Sequence, residues 1–358
     1  MPLTRRRLVT GLTGLTGLTG LSCLAGLSGP DSCVHGPDDH LDPSPLLIRS
    51  PAPWKDALGS LADVAPELRP AFADATGFEL LPPPGPNAWR TLRPEPPQSV
   101  PEFIAFGANH RAAPRDRLAL LPLGTFPVEV VLDLEYAHIV RTPELAAVAD
   151  LLAAFYATPV DILPTRPFPA AGVLARFVGG HTQFDARDLL DRIAPDLPAG
   201  AHGMLALVSA DLFVFAEQRF AFGWTTLRDR LGAVSFARLD PSVHGGPAPD
   251  EPAVTLPRRG LRVAVHEAGH LFGLGHCQAF RCAMNGISDL DELDATPLRL
   301  CPLCLRKLHL VTGLDPRARD HALLAALDRQ GLVDESAWLG ARAHHLWSTP
   351  AHAARTAP

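Results

Sequence analysis

One stretch limits what this chain can fold into more than any other: Val265 to Leu305, reading VHEAGHLFGLGHCQAFRCAMNGISDLDELDATPLRLCPLCL. His266 and His270 are spaced so that, on a helix, both imidazoles project from one face and can grip a single metal ion. Glu267 stands beside them, placed to take a proton from a water held on that metal. Gly273 tolerates left-handed dihedrals, so the chain can turn back after the helix and deliver His276 as a third imidazole from outside it. Three protein ligands leave a zinc ion one open position, which is the condition for catalysis; four would close the shell. HExxH alone recurs in ordinary buried helices, but the longer HExxHxxGxxH is far more specific. It marks Glu267 as the catalytic residue and His266, His270 and His276 as ligands of a catalytic zinc.

The cysteines form a second group. Cys277 and Cys282, then Cys301 and Cys304, are two pairs at the close spacing that thiolate zinc sites use. Four thiolates would close a tetrahedral shell, giving a structural zinc and a total of two zinc ions per chain. The alternative is two disulfides. Met284, one of 3 methionines, follows His276 closely enough to form an apolar floor under the catalytic metal, a Met-turn.

With these residues in place, HExxHxxGxxHCx4CxM followed by CxxC resembles the signature of the archaemetzincins, metzincin-like zinc metallopeptidases. Every fixed element is present, and the spacing from Met284 to Cys301 is a residue shorter than the family's usual one. QFDARDLL (Gln183 to Leu190), SADLFVF (Ser209 to Phe215), FAFGWT (Phe220 to Thr225), SFARL (Ser235 to Leu239) and LCPLCLRKL (Leu300 to Leu308) are most similar to the longer, vertebrate-type members. The resemblance implies an α/β (α+β) fold with a mixed sheet above the zinc helix. It also implies a peptide or protein substrate and, from the longer members, an aminopeptidase activity. Some metzincins carry a tyrosine after the methionine. Here the 2 tyrosines, Tyr136 and Tyr156, both lie upstream.

Composition narrows the partners. The 358 residues are 47% hydrophobic and 20% charged, enough for a sizeable core in one large or two smaller domains. A net charge of -6 and the lack of a long Lys/Arg run disfavour nucleic acid. Residues 1–25 combine Arg5 and Arg6 with a GLT-repeat apolar stretch and read as a twin-arginine-like export signal, which predicts a periplasmic or secreted protein with no integral membrane segment in the mature chain. Folding around zinc before export would also protect the thiols. If the start is misassigned, the protein is cytoplasmic.

In chain order, residues 30–97 read as a Pro-rich, partly helical extension that packs on the catalytic domain or covers its cleft, with Pro94 to Pro101 as a linker. Residues 98–313 read as the catalytic domain and 314–358 as a helical tail. Strands are expected at Leu118–Pro122, Pro159–Leu163, Met204–Val208 and Ala233–Leu239. Helices are expected after a Thr142 cap to Tyr156, at Phe184–Ile193, and from Arg258 to Phe272 for the zinc helix. Arg317–Leu327 and Ser336–His345 read as terminal helices. Asp211, Arg238 and Trp224 are candidates for the cleft, each better explained as a cap, an ion pair or packing. Arg258 and Arg259 read as solvated. Asp289 to Asp294 either caps a short helix or supplies a partner for a ligand histidine. A catalytically silent, zinc-stabilised binding protein is the main alternative to a peptidase, and a ribbon-like module on the cysteines is a third. Oligomeric state is not encoded in any of these features.

Overall fold

The computed structural model describes residues 51–107, 109–125, 131–132, 137–138 and 142–348. The expected signal at 1–25, the start of the 30–97 extension and Tyr136 lie outside the described residues. Four short helices come first: α1 (Pro51–Leu58), α2 (Pro70–Ala73), α3 (Trp89–Leu92) and α4 (Val100–Ala105). Then follow β1 (Arg117–Leu123), the two-residue strands β2 (Val131–Leu132) and β3 (Ala137–His138), α5 (Leu145–Tyr156), β4 (Val160–Ile162), β5 (Ala175–Val178), β6 (His181–Asp185) and α6 (Ala186–Ile193). β7 (Ala201–Val208), β8 (Asp211–Phe213), β9 (Gly223–Thr226) and β10 (Leu231–Ser235) complete the strands. The chain ends in α7 (Pro252–Leu271), α8 (Leu290–Ala295), α9 (Pro302–Thr312), α10 (Pro316–Arg329) and α11 (Val333–Trp347).

The main sheet is five-stranded, in the order β4-β1-β7-β10-β9. All its pairs are parallel except β10 with β9, so the last strand is an antiparallel edge. Side-chain alternation divides β1 and β7 between two cores. Leu118, Leu120, Leu205 and Leu207 point toward α5 and α7, whereas Ala119, Leu121, Met204, Ala206 and Val208 point toward α6. Because both faces are covered, the strands read as near-continuous apolar runs, as buried parallel strands do. A smaller sheet, β5-β6-β8, lies on the α6 side, and Leu212 of β8 joins the second core.

α7 sits under β9 and β10 because one of its faces is apolar: Leu261, Ala264, Ala268 and Leu271 are all buried. Each fully buried leucine contributes roughly 1.5–3 kcal/mol of burial free energy. The helix begins at Pro252, well before the expected Arg258, and carries Pro257 inside it. A proline there removes one internal hydrogen bond, but it does not end a helix anchored by buried Leu256 just before it and buried Leu261 in the turn after it. The helix stops at Gly273, whose φ of 84° is open to glycine at little cost. Gly273 N–H bonds His270 O at 2.8 Å and Leu274 N–H bonds Gly269 O at 3.3 Å, a paired C-terminal closure.

The N-terminal helices share the main core. Trp54, Leu58, Phe72 and Phe103 are buried in one cluster with residues of α7 and α9, and Trp54 meets Phe280 edge-on at 5.3 Å. Arg342 on α11 bonds Asp74 at 2.8 Å, closing the C-terminal helices over the same segment. Among the described residues no helix is long and apolar enough to cross a membrane.

Several expectations require correction. Gln183 and Phe184 belong to strand β6, and the helix starts after Asp185, whose carboxylate accepts from Arg187 N–H at 2.8 Å. Thr142 does not cap α5; the cap position is Glu144, without a side-chain bond, and the Thr142 hydroxyl has no partner among the described residues. Arg259 is buried rather than solvated, forked onto Asp294 with its Nε at 2.9 Å and bonded to Leu239 O at 2.6 Å. Pro94 to Pro101 is no free linker either. Ser99 opens α4 with a reciprocal capping box to Glu102, and Gln98 is bonded to Gly275.

Candidate metal centre

His266 and His270, a helical turn apart on α7, bring their Nε2 atoms to 3.1 Å. The Gly273 turn returns His276 so that its ring lies 5.2 Å from that of His266 and 5.0 Å from that of His270. One donor atom from each of the three lies within 4.8 Å of the others. The expected trio is therefore assembled, and the outer nitrogen of each ring is engaged. His266 Nδ1 is 2.9 Å from Ala283 O, His270 Nδ1 is 2.6 Å from Leu274 O, and His276 Nδ1 is 2.7 Å from Glu95 Oε2. Donating the outer N–H fixes each tautomer and leaves Nε2 as the lone-pair donor facing inward.

Electrostatics favour neutral rings on the helix. Burial pulls His266 down to about 3 and holds His270 well below the usual imidazole value, aided by repulsion from neighbouring imidazoles. Burial also pulls on His276, but the adjacent Glu95 carboxylate more than offsets it and leaves that ring above its ordinary value. Two neutral rings on the helix, with the His276 ring held beside them by Glu95, form a convergent nitrogen donor set at a spacing that suits zinc.

Glu267 lies against the edge strand β9. Burial pushes its carboxyl up to about 7, against the opposing effects of a Thr225 hydrogen bond and the nearby His276. Thr225 Oγ1 donates to Glu267 Oε2 at 2.6 Å. Gly223 makes room for the same carboxylate: a Cβ there would stand 2.5 Å from Oε1. Neither β9 residue was identified as functional from sequence, because their only signal is the run FAFGWT.

The four expected cysteines also come together. Cys277, Cys282, Cys301 and Cys304 are buried and unbridged, with sulfurs within 4.8 Å of one another. Cys277 Sγ and Cys301 Sγ are 3.6 Å apart, far beyond a disulfide bond of about 2.05 Å, which removes the two-disulfide alternative. Hydrogen bonds from the other three thiols hold Cys277 well below the usual thiol value, while burial raises Cys301. A buried all-sulfur shell without an acid nearby suits a closed zinc site. Asn285 staples the loop: its Oδ1 accepts from Cys282 N–H at 2.8 Å, and its Nδ2 donates to Cys277 O at 2.8 Å and Phe280 O at 2.9 Å. Met284 is fully buried, with its thioether against Gly269 of α7.

The other candidates stay outside the centre. Asp211 and Arg238 are bonded to each other, with Arg238 Nε at 2.8 Å, and Trp224 packs edge-on against Phe215 at 5.6 Å. Asp289 caps α8 by accepting from Glu292 N–H at 2.9 Å, so the acidic loop supplies no partner to a ligand histidine. That partner is Glu95, from a stretch where no chemistry was expected. Tyr156 is buried, and its hydroxyl donates to Val265 O.

Residues 253–310 match the profile of Peptidase family M54. An archaemetzincin of known structure from Methanopyrus kandleri aligns at TM-score 0.41 and 26% identity, covering 55% of this chain and 96% of its own. Archaemetzincin from Thermococcus kodakarensis is 36% identical over 110 residues, which is 31% of this chain and 57% of that protein. Archaemetzincin-2 from Pongo abelii is 29% identical over 270 residues, 68% of this chain and 72% of that protein. By that profile match and these relatives the chain is similar to the archaemetzincins. It is a zinc metallopeptidase with a mixed α/β fold, and the peptidase-family match points to a peptide as its class of substrate. Among archaemetzincin features, the two donor groups are the ones that account for zinc in this chain.

Proposed function

We propose that His266, His270 and His276 hold a catalytic zinc, that Glu267 is the general base and then the general acid, and that Cys277, Cys282, Cys301 and Cys304 hold a second, structural zinc. The observation that carries this reading is the convergence of three inward Nε2 donors with a buried carboxylate beside them. Zinc bound to such a trio polarises a carbonyl and lowers the pKa of water. The chain's own residues do the rest. Glu267, poised near neutrality by burial, takes a proton from the attacking water and delivers it to the leaving amine. Thr225 holds the carboxylate in one orientation, which shortens the search for a reactive geometry. Tyr156 is committed to Val265 O, so it is not free to donate to an oxyanion, and a metal held by His266, His270 and His276 would supply that stabilisation.

The finer assignment to aminopeptidase type is taken from the resemblance to the longer members alone. Export through residues 1–25 is read from Arg5 and Arg6, and an Arg5→Lys/Arg6→Lys variant retained in the cytoplasm supports it, whereas unchanged export would refute it. A peptide-library digest read by mass spectrometry tests the enzyme and its end preference together. Wild type should cleave and Glu267→Ala should not. Equal cleavage by both would point to a contaminant. Metal analysis should give two zinc ions per chain, and a protein that keeps both yet cleaves nothing would restore the silent-binding alternative.

A further inference from the structure

Two of the three imidazoles are braced by backbone carbonyls of the loop that follows them, but the third is braced by a side chain from elsewhere in the chain. Glu95 and His276 are separated by 181 positions. Around that contact the segment 89–98 forms a strap with several independent attachments. Trp89 packs edge-on against the His276 ring at 5.2 Å, and its Nε1–H donates to Glu95 Oε1 at 3.1 Å. The Trp89 backbone N–H donates to Glu292 Oε2 at 3.0 Å, which anchors the start of the strap on α8. At its other end Gln98 accepts from Gly275 N–H at 2.9 Å and donates to Gly273 O at 3.3 Å. Buried Lys307 of α9 donates to Gln98 Oε1 at 3.0 Å. The turn that carries His276 is thus clamped from outside by residues well upstream of the 253–310 stretch that matches the family profile.

We propose that Glu95 is a positioning residue for His276, and that the strap 89–98, with Trp89 and Gln98 as its supports, is a built part of the catalytic metal site. A carboxylate on Nδ1 has two effects that a loosely held turn cannot supply. It fixes the ring's rotation about its χ angles, and it holds the proton on Nδ1 so that Nε2 is the free donor. His266 and His270 need no such help, because α7 and its closing loop already set their directions. His276 stands after a glycine turn and has only the strap. Losing one outer partner of a ligating histidine costs roughly 10–100-fold in metal affinity.

This inference rests on reading His276 as the third ligand, so the test separates the two. The full chain, with zinc retained at the four cysteines and the histidine site stripped, is titrated with Co2+. Visible absorption reports ligand geometry, and chelator competition gives the affinity. Glu95→Ala should bind Co2+ roughly 10–100-fold more weakly with an altered spectrum, and Glu95→Gln, which keeps the shape but not the charge, should fall between it and wild type. Trp89→Phe keeps the packing and loses the N–H donor, so it should show a smaller loss in the same direction. Apo thermal midpoints of Glu95→Gln and Trp89→Phe should match wild type, which places the effect at the metal and not in the fold. If Glu95→Ala does not fold, Glu95→Gln decides. His276→Gln should abolish the spectrum. If His276→Gln binds Co2+ as wild type does, the ligand assignment falls. If His276→Gln fails while the Glu95 variants bind like wild type with an unchanged spectrum, the strap has no part in the site and only this inference falls.

Discussion

Gly223→Ala puts the general-base reading to a sharp test because it touches the carboxylate and none of the metal donors. Gly223 lies on β9, the antiparallel edge, and its φ is outside the left-handed region, so alanine meets no backbone strain there. The added Cβ would stand 2.5 Å from Glu267 Oε1 and 2.6 Å from its Cδ, whereas ordinary contact begins at 3.4 Å. Strand or carboxylate must therefore give by about 0.9 Å. The strand is held by its ladder to β10, so the carboxylate is the part that moves, and with it the 2.6 Å bond to Thr225. A misplacement of about 1 Å costs roughly a hundredfold in rate, near 2.7 kcal/mol. We expect kcat/KM on a cleaved peptide to fall by about that factor, with zinc content and thermal midpoint unchanged. Gly223→Ala within about threefold of wild type, at equal zinc content, would mean that the position of Glu267 is not critical and that the base lies elsewhere.

Stepwise chelation should release zinc in two phases. The three-histidine group, with His276 half-buried, empties first with little change in melting, and the buried cysteine group empties later with collapse of the fold. A single phase on a dye-release trace would refute two distinct sites. Acid stability gives a further prediction through His202, buried beneath the end of α7, stacked on Phe272 at 4.6 Å and 3.2 Å from Leu271 O. Burial, reinforced by Arg230, lowers it to about 4, so between about pH 6.5 and pH 4 the unfolded chain binds a proton that the folded chain refuses. Stability from this group is complete above pH 6.5 and drains as pH falls through that window, by about 3 kcal/mol in all. His202→Gln should flatten that stretch of the denaturation profile, and a profile identical to wild type would remove His202 as the cause.

How much of this was legible in the sequence depends on the range of each contact. Both donor groups could be read because the zinc helix, the glycine turn and the cysteine pairs are local patterns with fixed spacing. The buried strands were legible too, because β1 and β7 are apolar on both faces. Phe184 was misread because QFDAR leads straight into a helix, and only the Asp185 cap shows where strand gives way to helix. Arg259 was misjudged because an arginine at the expected start of a helix looks solvated until its fork onto Asp294 is seen. Glu95 and Thr225 were not readable at all. Each reaches its partner through the fold, and no spacing rule relates Glu95 to a histidine 181 positions away.

His276 and Cys277 are consecutive, yet they face different donor groups. A single peptide bond therefore couples the two centres mechanically, and it gives assembly an order. Until the sulfur shell closes around its ion, the backbone at 276–277 is tied downstream by hydrogen bonds of Cys277 with Met284 and Asn285 within a loop that is itself unclamped, and the third imidazole holds its aim less firmly. Nascent chains short of metal should accordingly fill the thiolate cage first, so that scarcity of zinc yields a folded but dormant protein rather than a half-active one.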